Sequence, residues 1–145
     1  MKRKLVDVNV LLAMIWSRHV FHEAAQNWFE KSGHKAWATS PLTQLGVVRL
    51  LTNPAVGHGS ITPAAALRAV MEATGLPGHE FWPLTKGMNE GLLAIAARIR
   101  GHQQWTDAAL LWQAVEHDGT LVTFDEGISA LAAGESKGRV LVLRA

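Results

Sequence analysis

Five short apolar runs of strand length recur along the chain, and most of them are continuous instead of alternating between apolar and polar residues. Continuous runs are typical of strands that are covered on both faces, as in a parallel sheet. The predicted strands are Lys4–Val6, Ala36–Ala38, Glu80–Trp82, Leu121–Phe124 and Val140–Leu143. We therefore expect a sheet that lies between two layers of helices.

Helical patterns fill the gaps between these strands. Two of the helices are predicted to begin at a Ser-Pro or Thr-Pro pair, in which the first residue caps the helix and proline takes the first helical position. The segment NPAVGHGS, residues 53–60, predicts a loop between these two helices. The predicted helices cover Asn9–Trp16 and Val20–Lys31, begin at Ser40 and at Thr62, and cover about Met88–Arg100 and Thr106–His117.

Strands that are separated by helices predict an α/β three-layer sandwich, with a mostly parallel sheet of four to five strands flanked by helices. No repeat, linker or low-complexity tract divides the sequence, so residues 1–145 are expected to form a single domain. Right-handed crossovers direct the C-terminal end of every strand to one edge of the sheet, where ligands of such folds bind.

Three acids and one amide are predicted to converge on that edge. Asp7 and Asp125 lie at the C-terminal ends of the first and fourth predicted strands. Asp107 takes the first position of a helix that leads back to a parallel strand, and Gln44 lies near the first turn of the helix after the second strand. The residues three, four and seven positions after Asp107 and after Gln44 are apolar, so both side chains are expected on the helix face that packs on the sheet.

Neighbouring carboxylates repel one another unless a cation neutralises them. Mg²⁺ or Mn²⁺ takes oxygen ligands, keeps several waters, and can orient a water for attack on a phosphodiester. Two of the acids also have simpler explanations, because the helix dipole favours Asp107 in a first turn and Asp125 suits a turn. Asp7 is harder to explain in that way, since it interrupts the apolar segment KLVDVNVLLA.

Charge and composition narrow the class of protein. Fourteen Lys and Arg against 12 Asp and Glu give a formal net charge of +2, which is too small to predict nucleic-acid binding by itself. We interpret the cluster of Arg98, Arg100 and His102 as a solvated face, and the six tryptophans as mainly core or interface residues. The absence of a secretory signal and of an apolar stretch of about 18 residues predicts a soluble cytoplasmic protein without a membrane partner. The sequence has no cysteine, so it gives no information about an oxidising compartment.

Several segments resemble one known family. LVDVNVLLA, SPLTQLGVVRLLTNP and TDAALLWQAVEHDGTLVTFDEG, followed by the closing strand GRVLVL, are similar to the PIN domain, and more closely to the VapC-type ribonuclease toxins of bacterial toxin–antitoxin pairs. The resemblance covers essentially the whole chain. It implies a PIN-like fold and a Mg²⁺-dependent endoribonuclease toxin, which hydrolyses RNA phosphodiester bonds with a metal-activated water and leaves a 5′-phosphate and a 3′-hydroxyl.

The resemblance also implies residue roles. Asp7, Asp107 and Asp125 match three acidic positions of the family, so they are the expected catalytic and metal-binding residues. By that match Asp7 and Asp107 would be the chief ligands of Mg²⁺, with Mn²⁺ as an alternative, and Asp125 would bind a second ion or a metal-bound water. Asn9 and Thr123 fall where the family often keeps polar side chains that support the site.

Gln44 departs from the family pattern, because many relatives carry a glutamate in the corresponding TEL segment and this chain has TQL. An amide keeps one acceptor oxygen but loses the charge and cannot act as a base. Two functions therefore stay open: an active ribonuclease with Gln44 as a supporting residue, and a catalytically weakened PIN domain that mainly binds RNA or its antitoxin. A haloacid-dehalogenase or response-regulator phosphotransfer domain would need an acid two residues after Asp7, where this chain has Asn9.

The partners implied by the resemblance are an RNA substrate, a cognate VapB-type antitoxin and a second copy of the chain. The antitoxin is expected to occupy the acidic crevice with a basic side chain. The apolar helices between Val20 and Leu51 are the expected contact surfaces, including those of a homodimer.

Overall fold

The computed structural model describes residues 2–57 and 61–145. Its sheet has five strands in the order β3-β2-β1-β4-β5, and all of them are parallel, which confirms the predicted α/β three-layer fold. Every predicted strand is present, the first with its predicted bounds and the others shifted by one residue at one or both ends. The strands are β1 (Lys4–Val6), β2 (Trp37–Thr39), β3 (His79–Phe81), β4 (Thr120–Thr123) and β5 (Val140–Val142).

Helices connect these strands, and both helices predicted from a capped proline are confirmed. The Ser40 hydroxyl accepts a hydrogen bond from the Leu42 N–H at 3.2 Å, and the Thr62 hydroxyl accepts one from the Ala65 N–H at 3.1 Å. None of the helices in the described ranges is long and apolar enough to cross a membrane. The helices are α1 (Val8–Ile15), α2 (His22–Lys31), α3 (Pro41–Leu51), α4 (Pro54–Gly57), α5 (Pro63–Thr74), α6 (Asn89–Ala96) and α7 (Trp105–Glu116).

Tertiary contacts move two of the predicted helix ends. α2 begins at His22 and not at Val20, because Phe21 stacks on Phe124 with ring centroids 4.6 Å apart. α6 ends four residues before its predicted end at position 100. Beyond α6, Arg98 donates from Nε to a backbone carbonyl of the segment after β4 at 2.7 Å, a contact that a continuing helix would not supply.

Two further predictions need correction. α7 begins at Trp105, so Asp107 is the third residue of the helix and not the first. The predicted loop at residues 53–60 contains the short helix α4, which Asn53 caps by accepting from the Ala55 N–H at 3.0 Å. The rest of that predicted loop, residues 58–60, lies outside the described residues.

The helices form two layers around the sheet. α1, α2, α3 and α5 cover one face, and α6 and α7 cover the other. α6 approaches α7 closely at Gly91, where a Cβ atom would lie 1.9 Å from Cδ1 of Trp112. Strand side chains alternate between the two faces: Val6, Trp37 and Val122 meet the first layer, and Leu5, Ala38 and Leu121 meet the second.

Candidate active site at the C-terminal edge of the sheet

Asp7 follows β1 directly and is buried. Its backbone N–H donates to the Val122 carbonyl of β4 at 3.0 Å, which keeps the residue attached to the sheet. Its side chain caps α1, because Oδ1 accepts from the Val10 N–H at 2.8 Å. The Asn9 N–H and the Thr123 side chain also hydrogen-bond to this carboxyl group. The Asp7 carboxyl is therefore held from two directions, by α1 and by β4.

Asp125 lies two residues beyond the end of β4, where strand alternation places it on the same face as Thr123. Its N–H donates to Thr123 Oγ1 at 2.9 Å, which leaves the hydroxyl proton of Thr123 for Asp7. Its own Oδ1 accepts from the Gly127 N–H at 2.8 Å and caps the 3₁₀ helix Glu126–Leu131. Asp125 is thus a turn residue, and it is also linked to Asp7 through one hydroxyl group.

Asp107 lies in the first turn of α7 and is partly buried. The residues three, four and seven positions after Asp107, which are Leu110, Leu111 and Ala114, are fully buried. This burial agrees with the prediction that Asp107 lies on the helix face that packs on the sheet. In the described part of the chain the Asp107 carboxyl has no hydrogen-bond or ion-pair partner. Asp107 is therefore the least constrained of the three acids.

The three carboxyl groups lie within electrostatic range of one another, because the charges of neighbouring acids contribute to the raised pKa values of Asp7 and Asp107. Burial raises the pKa of Asp7 to about 6, and the Asp125 charge adds to the rise, while hydrogen bonds from Thr123 and Val10 oppose it. Burial also raises the pKa of Asp107 to about 7, and the charges of Asp7 and Asp125 add to it. The structure thus brings together the three acids that the sequence singled out.

The cluster lacks a cation of its own. Within the described residues, none of the three carboxylates pairs with a Lys, Arg or His side chain. In the same ranges, no three His, Cys, Asp or Glu side chains stand close enough together to form a ready-made metal cage. Such an open arrangement suits a hard divalent ion that needs one or two carboxylates and keeps waters at its other positions. Asp7 and Asp107 could supply those carboxylates.

The side chain of Gln44 hydrogen-bonds to Thr39 and to none of the three acids in the described part of the chain. Its Nε2 donates to Thr39 Oγ1 at 2.9 Å, and Thr39 Oγ1 lies 2.8 Å from His79 Nε2. Burial lowers the pKa of His79, so a neutral imidazole can accept the hydroxyl proton of Thr39 while the hydroxyl oxygen accepts from Gln44. The amide therefore lies on the β2–β3 side of the edge, whereas Asp125 lies on the β4 side.

Two features at this edge were missed from the sequence. The first is the pair of Thr39 and His79 that receives Gln44, which depends on strand pairing and leaves no local signal. The second is Trp105, which opens α7 and exposes 48% of its surface, in contrast to the expectation for tryptophan. Its polar neighbours in the segment HQQWTD were an available signal.

Comparisons with known proteins agree with this geometry. The family model described as PIN domain matches residues 4–134. The chain is 42% identical over 139 residues to Ribonuclease VapC39 of Mycobacterium tuberculosis, covering 96% of this chain and 98% of that protein. It is 38% identical over 142 residues to Ribonuclease VapC44 of the same organism, covering 97% and 99%. Both relatives are therefore matched along nearly their whole length.

A solved structure supports the fold independently. The chain is similar to the crystal structure of PAE2754 from Pyrobaculum aerophilum, with a TM-score of 0.61, coverage of 96% of this chain and 83% of that chain, and 21% identity. At this identity the likeness concerns the fold alone.

The raised pKa of Asp107 predicts that Asp107→Asn stabilises the metal-free protein more at pH 8 than at pH 5. The folded state prefers the protonated carboxyl, so its contribution to stability is complete below the ordinary value of 3.8 and is lost as the pH rises through about 7. Asparagine escapes this loss, which we put at about 1–2 kcal/mol because solvent screens a partly exposed group. Denaturant unfolding in EDTA at both pH values measures the difference.

Asp118→Asn is the matched control. Hydrogen bonds from Lys2 and Arg139 lower the pKa of Asp118, so this carboxyl is ionised at both pH values and its substitution should have the same effect at each. An Asp107→Asn effect that is equally independent of pH would contradict the raised pKa.

Proposed function

The chain belongs to the PIN-domain family and to its VapC-type branch, and on that premise we propose that it is an endoribonuclease toxin of a toxin–antitoxin system. The proposed reaction is Mg²⁺-dependent hydrolysis of RNA phosphodiester bonds, which leaves a 5′-phosphate and a 3′-hydroxyl. The observation that carries the proposal is the cluster of Asp7, Asp107 and Asp125, whose charges act on one another at one edge of the sheet.

Asp7 and Asp107 are the proposed ligands. Asp7 has a fixed position, because the α1 cap and Thr123 hold its carboxyl, whereas Asp107 is free to adjust to an ion. Bound between them, Mg²⁺ or Mn²⁺ would supply charge stabilisation for the phosphoryl oxygens and lower the pKa of the attacking water. Asp125, which uses Oδ1 for its own cap, would hold a water or a second ion with its other oxygen.

Thr123 and Asn9 support the proposed site in different ways. The Thr123 hydroxyl joins the Asp125 backbone to the Asp7 carboxyl, so its role depends on its side chain. Asn9 reaches Asp7 through its backbone N–H, and its own side chain is exposed. The supporting role of Thr123 therefore rests on more direct contacts than that of Asn9.

RNA cleavage tests the proposal. Purified protein should cleave RNA with Mg²⁺ and stop in EDTA, and Asp7→Asn or Asp107→Asn should lower the rate by about 100-fold or more, because each removes a charge that the transition state needs. Asp118→Asn, which changes an exposed acid held by Lys2 and Arg139, is the control and should cleave normally. Cleavage that survives both chelation and the two site substitutions would refute the proposal.

A second candidate is a catalytically weakened PIN domain that mainly binds RNA or its antitoxin. It is favoured by Gln44, which brings no charge and donates a hydrogen bond from its amide to Thr39. Three acids are nevertheless enough for an ion that accepts water in place of a missing ligand. The hydrolytic function therefore remains our first proposal.

Gln44→Glu separates the two candidates. If Gln44 disables the enzyme, the added carboxylate should raise kcat from a near-zero baseline by more than about 100-fold. If the three acids suffice, the protein with Gln44 should already cleave well, and Gln44→Glu should change kcat by less than about tenfold. Steady-state cleavage of one labelled RNA by both proteins, over a series of Mg²⁺ concentrations, decides between these results.

A cognate VapB-type antitoxin is the proposed inhibitor. The three acids have no basic partner within the described residues, so an arginine or lysine of the antitoxin would find an unneutralised cluster at the edge. Such a contact would compete directly with a cation, and addition of the antitoxin should suppress cleavage.

The proposed homodimer has a candidate surface on α3 and α5, which pack against each other. Leu45 on α3 and Leu67 and Met71 on α5 are large apolar side chains that are exposed in the single chain. Exposed apolar side chains on two helices in contact are typical of contact surfaces between proteins. The surface lies on the sheet face opposite to α7, so it leaves the acidic edge accessible.

Met71→Glu tests this surface. Light scattering should give the mass of a dimer for the unchanged protein and of a monomer for the variant, because a buried, unpaired charge is costly at an interface. Leu93→Glu places the same charge on exposed α6 and should leave the dimer intact. A monomer without any substitution, or a dimer that tolerates Met71→Glu, would reject this surface.

A further inference from the structure

Trp105 differs from the other tryptophans of the chain. Trp37, Trp82 and Trp112 are buried in the core, and Trp16 and Trp28 are partly buried, whereas Trp105 exposes 48% of its surface. Nearly half of a large apolar side chain is thus left in contact with water. Such a side chain therefore indicates a ligand or a partner.

Trp105 lies at the end of α7 that also carries Asp107. It opens α7 two residues before Asp107, which corresponds to about 3 Å along the helix axis and about 200° around it. Asp107 faces the sheet, so the indole faces outward from the same end of the helix. A chain bound at the acids and continuing over the end of α7 would pass the indole.

Basic side chains precede Trp105 on the same end of α7. Arg100 and His102 are exposed, and neither pairs with an acid in the described part of the chain. The Arg100 backbone N–H donates to Gln104 Oε1 at 2.7 Å, which folds this segment back toward the start of α7. Arg98 differs from its neighbours, because its guanidinium is bound to the Leu131 carbonyl.

We propose that Trp105 is a stacking platform for a nucleobase of single-stranded RNA next to the scissile bond, and that Arg100 and His102 bind the adjoining phosphates. The proposal rests on the ribonuclease function proposed above and names its substrate class and a specificity-determining residue. Aromatic platforms flanked by cationic side chains are the usual means of holding unpaired nucleotides.

The arrangement favours a single strand over a duplex. In a duplex the bases are stacked on one another and their faces are not available to an indole, whereas an unpaired base can lie flat on it. The charge of Arg100, which has no carboxylate partner in the described chain, favours an anionic partner over a neutral or basic peptide. The exposed indole favours a nucleic acid over an acidic peptide, because every base offers a flat face for stacking. Both features lie at or just before the end of α7 that carries Asp107.

Binding of a labelled, unpaired oligoribonucleotide tests the platform. Fluorescence anisotropy is measured with Mg²⁺ in an Asp7→Asn background, so that the RNA stays intact. Trp105→Ala should weaken binding by roughly 5- to 100-fold, and Trp105→Phe should restore most of the affinity, since phenylalanine keeps a ring for stacking. The same RNA annealed to its complement should bind with the same affinity to the protein with Trp105 and to both Trp105 variants. Leu93→Ala removes an apolar side chain that is 76% exposed on the neighbouring helix α6 and should change nothing.

Salt dependence tests the binding of phosphates by Arg100. Arg100→Ala should reduce the slope of log Kd against log salt concentration by about 0.7 for each phosphate that the side chain neutralises, and Arg100→Lys should restore the slope. Arg68→Ala removes an exposed arginine on α5 and is the matched control, with an unchanged slope.

The outcomes separate this proposal from the ribonuclease function. If the unchanged protein cleaves RNA while Trp105→Ala binds and cleaves unpaired RNA normally, the platform is overturned and the ribonuclease function stands. If cleavage is absent but binding still depends on Trp105, the platform stands and the ribonuclease function fails. Loss of antitoxin binding in Trp105→Ala with RNA binding unchanged would assign this surface to the antitoxin and overturn the platform.

Discussion

The parallel pairing of β1 with β4 is the constraint on which the candidate site depends. In this register Val6 pairs with Val122. As a result, the Asp7 N–H donates to the Val122 carbonyl, and the Thr123 side chain hydrogen-bonds to the Asp7 carboxyl. A shift by one residue would turn every side chain of one strand to the other face and separate Thr123 from Asp7. Helices on both faces prevent that shift, because each face of the sheet has its own apolar set to bury.

The carboxylates at this edge meet two opposing demands. As a cap, Asp7 accepts the Val10 N–H, which favours its ionised form. Burial and mutual repulsion favour the protonated form, and for Asp7 and Asp107 these effects are the larger, since both pKa values are raised. The edge is therefore destabilised by its own charge when no cation is present, a condition that is typical of functional sites and not of purely structural caps. Capping of a helix and of a turn explains why Asp7 and Asp125 occur at this edge. It does not explain why a third acid, Asp107, lies there as well.

Much of this edge could be predicted from the sequence, because it depends on where strands end and helices begin. The continuous apolar runs located the strands within one residue, and the capped prolines located the starts of α3 and α5. The ends of α2 and α6 could not be predicted, since the stacking of Phe21 on Phe124 and the bond from Arg98 to Leu131 join segments remote in sequence. The exposure of Trp105 was not predicted either, because it depends on how elements that are remote in sequence pack around α7.

Gln44 shows how a departure from a family pattern is accommodated by its surroundings. Its amide donates to the Thr39 hydroxyl, and that hydroxyl has one proton, which His79 can accept because burial keeps the imidazole neutral. A glutamate in place of Gln44 could only accept, so it would compete with His79 for the same proton or require His79 to become charged. It would also add a negative charge near an edge where burial, and to a smaller extent repulsion, already raises the pKa of two acids. The amide of Gln44 donates to Thr39 without adding a negative charge and without requiring a charged His79. Gln44 therefore contacts the β2–β3 part of the edge, whereas the negative charge of the candidate site comes from the acids that follow β1 and β4 and from the acid on α7.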